Sequence, residues 1–136
     1  MVIDTSVLIH VAFEEPGWED SLNWLSRQPA LVFSAVSLVE AHAVVSSRGK
    51  GNLPEIIDDL LVTLDVEVVP FDAEQAALAR TAYSRYGKGR GHKAQLNFGD
   101  TLVYALARSR REVLAFVGDD FSHTDLEVLQ LPREDF

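Results

Sequence analysis

Four carboxylic acids stand at the ends of apolar segments, apart from the many acids on expected surfaces. Asp4 ends a short β-branched run, and Asp120 follows the apolar run 113–117. Glu40 and Asp100 lie in the first turns of two apolar helical segments. Carboxylates about 4 Å apart repel by about 4 kcal/mol per pair at an effective dielectric of about 20, so gathering them requires a cation. Mg²⁺ and Mn²⁺ suit this role because both prefer oxygen ligands.

A carboxylate-bound Mg²⁺ with open water ligands is suited to phosphodiester hydrolysis. Such an ion lowers the pKa of a bound water and stabilises the attacking and leaving oxygens. The chain has no cysteine, and its four histidines are scattered, so no softer metal site competes. Two of these histidines, His10 and His42, fall in apolar stretches and are expected in the core or at its rim. The acids are therefore the candidates for chemistry.

Each acid also has a purely structural interpretation. The segment Ser37–Glu40 fits a capping box, and Asn97–Asp100 resembles another helix start. Asp4 and the segment 118–120 could simply form turns at strand ends. Against this, Glu40 and Asp100 share helical faces with apolar side chains. Gly99 beside Asp100 suggests a close approach by a backbone or a ligand.

A basic segment interleaved with glycines, residues 87–95, precedes the Asp100 helix. The formal net charge of the chain is −9, which excludes a protein that coats nucleic acid through general positive charge. A nucleic-acid contact must therefore be local, and this segment is the one dense positive patch. A solvated loop is the alternative to a phosphate clamp. The candidate RNA-binding residues are Arg85, Lys88, Arg90 and Lys93.

Short apolar strands alternate with amphipathic helices along the chain. Strands are expected at 1–3, 30–35, 66–69, 113–117 and 128–131. Helices are expected at 6–13, 18–27, 37–47, 53–64, 72–86 and 97–110. This alternation predicts an α/β fold with a parallel sheet covered on both faces. Because ligands bind at the carboxyl ends of such strands, the sheet would position Asp4 and Asp120 at one edge.

Length and hydropathy predict one domain, residues 1–136, with no membrane span. No apolar run approaches the roughly 18 residues that a membrane helix requires. The N-terminal segment has an acid within its apolar stretch and no basic region, so no signal peptide is expected. A cytoplasmic location follows as the expectation, in keeping with the absence of cysteine.

Five segments together resemble the PIN-domain ribonucleases, and more narrowly the VapC-type toxins of VapBC toxin–antitoxin pairs. The order and spacing of their acids carry the resemblance, which runs from Met1 to about Leu126. The segments are MVIDTSVLI at 1–9, S-x-V-S-L-V-E at 34–40, YGKGR at 86–90, LNFGD at 96–100 and GDDFSHTDL at 118–126. One departure is the stretch 90–95, which lacks a proline often seen there and looks slightly longer.

The resemblance implies a three-layer α/β/α PIN-like domain around a parallel sheet of about five strands. It implies a Mg²⁺-dependent endoribonuclease, with Mn²⁺ as a substitute, that cuts RNA such as transfer or ribosomal RNA. It also implies a homodimer that is held inactive by a VapB-type antitoxin protein.

Residue by residue, the resemblance assigns catalysis and metal binding to Asp4, Glu40, Asp100 and Asp120. Asp4 and Asp100 would bind the ion directly, and the other two would act through its water or a second metal. For the fourth acid the resemblance favours Asp120 over its neighbour. Supporting roles around the acids are implied for Ser6, which would orient Asp4, and for Asp119 and Thr124.

Two other functions are compatible with parts of the sequence. An aspartate-based phosphotransferase of the haloacid-dehalogenase kind requires D-x-D after the first strand, but Ser6 stands in the third place. A catalytically inactive PIN-like binding module would use the acids only as helix caps. The intact set of four acids favours the nuclease.

Overall fold

The computed structural model describes residues 1–49 and 54–132, and within them the chain forms five strands and six helices. The strands are β1 (Val2–Ile3), β2 (Leu31–Ser34), β3 (Val66–Val69), β4 (Leu114–Phe116) and β5 (Val128–Gln130). The helices are α1 (Thr5–Ala12), α2 (Trp18–Leu25), α3 (Ala35–Arg48), α4 (Pro54–Thr63), α5 (Ala73–Tyr86) and α6 (Phe98–Arg110). Leu53, where the fourth helix was expected to begin, lies outside the described residues.

The sheet is parallel throughout, with the strand order β3-β2-β1-β4-β5. Val2 of the central strand is in register with Val32 on one side and Leu114 on the other. Strands β1, β2 and β4 are buried along their whole length, whereas the edge strands β3 and β5 are partly exposed. This burial explains why the three inner strands are short apolar runs without polar alternation.

Two hydrophobic cores lie on opposite faces of the sheet, because successive strand residues point to opposite sides. Ile3, Phe33 and Ala115 face helices α1 to α4 in one core. Val2 and Phe116 face α5 and α6 in the other. The expected three-layer α/β/α architecture with a five-stranded parallel sheet is confirmed.

Histidine placement agrees with the expectation from the sequence. His10 is fully buried in α1, where its Nε2 lies 3.2 Å from Ser21 Oγ. His42 is half-buried on α3, with Nδ1 2.9 Å from the Leu38 carbonyl oxygen. None of the helices in the two described ranges has the length and apolar character needed to cross a bilayer.

Candidate active site

Asp4 lies directly after β1 and caps the helix that follows. The Ser6 N–H donates to Asp4 Oδ2 at 3.1 Å, so the Asx-type turn expected at this position is present. The side chain is nevertheless only 6% exposed. Burial raises the pKa of Asp4 from 3.8 to about 6, against the lowering effect of hydrogen bonds from Ser6. The charges of Glu40 and Asp120 raise this pKa further.

Asp100 also combines a structural role with an unfavourable environment for its charge. It forms a capping box at α6, in which Asn97 N–H donates to Asp100 Oδ2 at 3.0 Å and Asp100 N–H donates to Asn97 Oδ1 at 2.8 Å. Burial raises the pKa of Asp100 to about 7, and the hydrogen bond from Asn97 lowers it. The charges of Asp4, Asp120 and Glu40 act in the raising direction. Capping alone would not require burial among other carboxylates.

Glu40 does not belong to a capping box, so the structural interpretation of the segment Ser37–Glu40 is wrong. Helix α3 follows β2 without a loop and takes Ser34 as its N-cap, so the helix begins at Ala35, two residues before the expected start at 37. Ser37 is therefore buried inside the helix, and Glu40 lies in its second turn. The Glu40 carboxylate instead reaches α6, where it lies against Gly99.

The two aspartates after β4 differ in their surroundings. Gly118 has a φ of 106°, a conformation that favours glycine and turns the chain sharply at this point. Asp119 Oδ1 accepts from the Gln130 side-chain Nε2 at 3.1 Å, so this carboxylate is held against β5. The charge of Asp120 raises the pKa values of Asp4 and Asp100.

The four acids form one electrostatic unit at the carboxyl end of the sheet. Asp4 and Asp100 each feel the charges of Glu40 and Asp120, and Asp100 also feels that of Asp4. Within residues 1–49 and 54–132, no three His, Asp or Glu side chains lie close enough together to coordinate a metal ion in their present conformations. The donor set is entirely carboxylate oxygen and fits a hard divalent cation, which would relieve the repulsion.

Ser6 and Thr124 have different relations to the acids. Ser6 Oγ accepts the Val117 N–H at 3.0 Å, which ties the start of α1 to the end of β4 while Ser6 also hydrogen bonds Asp4. Thr124 Oγ1 donates to the Phe121 carbonyl at 3.0 Å and accepts the Leu126 N–H at 3.4 Å. Thr124 therefore stabilises its own turn.

The basic segment is a loop closed at its base. Lys88 N–H donates to the Leu96 carbonyl and Leu96 N–H donates to the Tyr86 carbonyl, both at 2.8 Å. Lys88 and Lys93 are exposed. The Arg90 guanidinium lies 5.3 Å from the centroid of the Tyr83 ring. The cations are thus presented on an ordered backbone immediately before α6.

Arg85 and Asp125 add a contact that the sequence did not reveal. The Arg85 guanidinium lies 4.8 Å from the Tyr86 ring centroid and 3.9 Å from Asp125 Oδ2. Asp125 also accepts a hydrogen bond from the Tyr104 hydroxyl at 2.7 Å. Asp125 thereby holds the turn after β4 against α6. No spacing signal links these residues, because they come from three separate segments.

The sequence matches the PIN-domain family over residues 1–127. Ribonuclease VapC42 from Mycobacterium tuberculosis is 40% identical over 126 residues, which cover 93% of this chain and 96% of that protein. The chain belongs to the VapC ribonucleases of the PIN-domain family. Ribonuclease VapC28 from the same species is 38% identical over 127 residues, with the same coverage of both chains. The family resemblance seen in the five sequence segments is confirmed.

Solved VapC structures share the fold at low sequence identity. The M. tuberculosis toxin VapC20, described as cleaving the sarcin–ricin loop, superposes with a TM-score of 0.75 at 16% identity, covering 92% of this chain and 95% of that one. VapBC2 from Rickettsia felis, bound to promoter DNA, gives a TM-score of 0.71 at 17% identity, covering 95% and 96%. These similarities confirm the PIN-like fold of the VapC chain.

Proposed function

We propose that the chain is a divalent-metal-dependent endoribonuclease toxin that hydrolyses RNA phosphodiesters. Its catalytic acids in this proposal are Asp4, Glu40, Asp100 and Asp120. The observation that carries the proposal is the burial of Asp4 and Asp100 with raised pKa values beside two further carboxylates, in a chain of a ribonuclease family. A fold maintains such repulsion where it serves a site, since perturbed acids concentrate at functional positions.

Asp4 and Asp100 would hold Mg²⁺ directly, and Mn²⁺ would substitute for it. When bound, the ion lowers the pKa of water and stabilises the charge that develops on the phosphate. Ser6 fixes the orientation of Asp4, and Asn97 fixes that of Asp100, through the hydrogen bonds described above. Glu40 and Asp120 are less buried than these two acids. In this proposal they act through metal-bound water or a second metal.

Substrate binding would rest on the basic loop that follows α5 and on Arg85 in the last turn of that helix. Arg85, Lys88, Arg90 and Lys93 would contact phosphates and position the RNA, for which transfer and ribosomal RNA are the candidate classes. We further infer a single domain over residues 1–136, a homodimer, a cytoplasmic location and a VapB-type antitoxin as partner. The solved VapBC pair from R. felis supports an antitoxin partner.

The test is cleavage of purified total transfer RNA and ribosomal RNA by the wild type with Mg²⁺ or Mn²⁺. Asp4→Asn should reduce the cleavage rate by roughly 100-fold or more, because the carboxylate charge is lost while the helix cap is kept. Glu67→Gln, on the exposed edge strand β3, removes the same charge away from the site and should cleave like the wild type. Chelation of the metal should stop cleavage in both active proteins.

A catalytically inactive binding module is the second candidate, because Asp4 and Asp100 do cap helices. This function predicts that the wild type leaves both RNA classes intact with either metal. Equal cleavage by the wild type and Asp4→Asn would instead point to a nuclease centre elsewhere in the chain.

A further inference from the structure

The first turn of α6 contains a glycine that its backbone conformation does not require. Gly99 lies within the helix, between Phe98 and Asp100, and it is not among the residues with a positive φ. Alanine is the better helix former, so helix propensity would favour a side chain here. The reason for glycine must therefore lie in its surroundings.

One side chain occupies the space that Gly99 leaves open. A Cβ on Gly99 would collide with Glu40 Oε2 and would lie 3.0 Å from Glu40 Cδ. The next nearest atom, Asn97 Oδ1, would be at 3.5 Å, which is an ordinary van der Waals contact. Glu40 belongs to α3, which contacts α6 at this edge of the sheet. The missing side chain thus makes room for one carboxylate.

We propose that Gly99 is a positioning residue. Because it has no side chain, it leaves a space, the Glu40 seat, that holds the Glu40 carboxylate beside Asp4 and Asp100. This inference rests on the proposed function, because the seat matters for catalysis only if the acids act together. Two observations support it. The Glu40 charge acts on both buried aspartates. The seat also lies at the positive end of the α6 dipole, which favours a negative charge.

Stability and site function should respond in opposite directions at Gly99. Alanine at this position would meet the end of a flexible side chain, so Glu40 would swing away while the fold is kept. Gly87 provides the contrast, because a Cβ there would collide with the Tyr83 carbonyl oxygen of the backbone. Gly87→Ala must therefore strain the chain, whereas Gly99→Ala displaces one carboxylate.

The first experiment compares Gly99→Ala with Gly87→Ala. In metal-free buffer, Gly99→Ala should melt at or above the wild-type temperature, and Gly87→Ala should melt below it. Calorimetric titration with Mn²⁺ alone should show affinity about 10-fold weaker in Gly99→Ala, the loss typical of a displaced supporting group. If Gly99 had only a structural role, Gly99→Ala would lower the melting temperature and would leave the Mn²⁺ affinity of the folded protein unchanged.

A size exchange tests whether Gly99 acts through Glu40. Glu40→Asp shortens the side chain by one methylene, which withdraws the carboxylate from the seat. This change should weaken Mn²⁺ binding and RNA cleavage by itself. In that background Gly99→Ala should add no further loss, since coupled residues are non-additive. The proposal would be overturned if the losses of Mn²⁺ affinity in the two single variants multiplied in the double variant. It would also be overturned if Gly99→Ala bound Mn²⁺ as tightly as the wild type.

A metal-free measurement separates this inference from the proposed function. The carboxyl ¹³C resonance of Glu40 should shift in Gly99→Ala, because its environment changes without any metal or RNA. An unchanged resonance would overturn the seat even if the wild type is an active nuclease. A wild type that binds no Mn²⁺ and cuts no RNA would overturn the proposed function and the catalytic role of the seat, whatever the resonance shows.

Discussion

Asp4 and Asp100 each cap a helix, and each is also a catalytic acid in the proposed function. Both accept backbone N–H groups at the start of a helix, and both are buried near other acids. Hydrogen bonding favours the charged form and burial disfavours it, and here burial is the larger effect on both pKa values. Asparagine separates the two roles, because it caps a helix as well as aspartate does but carries no charge.

We expect metal-free Asp100→Asn to be more stable than the wild type at pH 7.5, by on the order of 1 kcal/mol. The amide oxygen can still accept the Asn97 N–H, while the cost of burying a charge and the repulsion from Asp4, Glu40 and Asp120 are removed. Asp100→Ala is the matched control, since it removes both charge and cap and should gain less. The measurement is urea unfolding. A less stable Asp100→Asn would show that the carboxylate charge stabilises the metal-free fold.

Candidate site residues could be recognised in the sequence where their place in the chain implies their place in the fold. Asp4 and Asp100 stand out because they interrupt apolar segments. The resemblance favours Asp120 over Asp119, but the different surroundings of the two acids could not be predicted from spacing, because Gln130 reaches Asp119 from another strand. The contact between Glu40 and Gly99 likewise joins two helices on opposite faces of the sheet. Gly99 indicated a close approach by a backbone or a ligand, but the approaching group is a side chain of another helix, which spacing along α6 does not identify.

At the scale of elements, the sequence predicted every strand and helix within the described residues, with shifts at their ends. The largest consequence came at α3, which begins at Ala35 because β2 passes into it without a loop. The expected start at Ser37 made a capping box look plausible for Glu40. At α5, where the observed start differs from the expected one by a single residue, Asp72 is the N-cap and its side chain accepts the Gln75 N–H at 2.9 Å. Local capping signals are therefore informative only when the helix start is known.

Removing lysine charges from the basic loop tests whether the loop binds RNA. Lys88→Ala with Lys93→Ala should weaken binding of total transfer RNA and reduce the slope of log affinity against log salt by roughly 1 to 2. The loop base is closed by backbone hydrogen bonds, so the fold should be unaffected. Arg27→Ala, an exposed cation after α2, is the control and should leave the slope unchanged. An unchanged slope in the double variant would remove the loop from the RNA-binding surface.

At the scale of the whole molecule, the negative net charge disfavours binding of RNA to the surface in general. The formal net charge of −9 repels a polyanion, and the cations of the basic loop lie in the segment that leads into the Asp100 helix. If RNA is the substrate as proposed, this distribution would favour its approach through the loop, because electrostatic fields steer a ligand toward the complementary patch. The four acids of the proposed site are part of this negative charge, and a divalent cation bound among them would reduce the repulsion of RNA. Metal binding and RNA approach are therefore expected to be coupled.

The pH dependence of stability tests the buried acids in the intact molecule. The pKa values of about 6 for Asp4 and about 7 for Asp100 exceed the ordinary value of 3.8, so the folded state binds protons that the unfolded state does not. The free energy of unfolding should therefore rise as pH falls from 7.5 toward 5, on the order of 3 kcal/mol for the two groups together.

Metal-free urea unfolding measures this rise, and the double variant Asp4→Asn with Asp100→Asn is its control. The rise should be absent from the variant, which has lost both titrating groups. Saturating Mn²⁺ should reverse the trend in the wild type, because a metal site needs its carboxylates deprotonated and binding then stabilises the fold at high pH. Equal pH profiles for the wild type and the variant would show that neither burial nor the neighbouring acids raise the pKa values of Asp4 and Asp100.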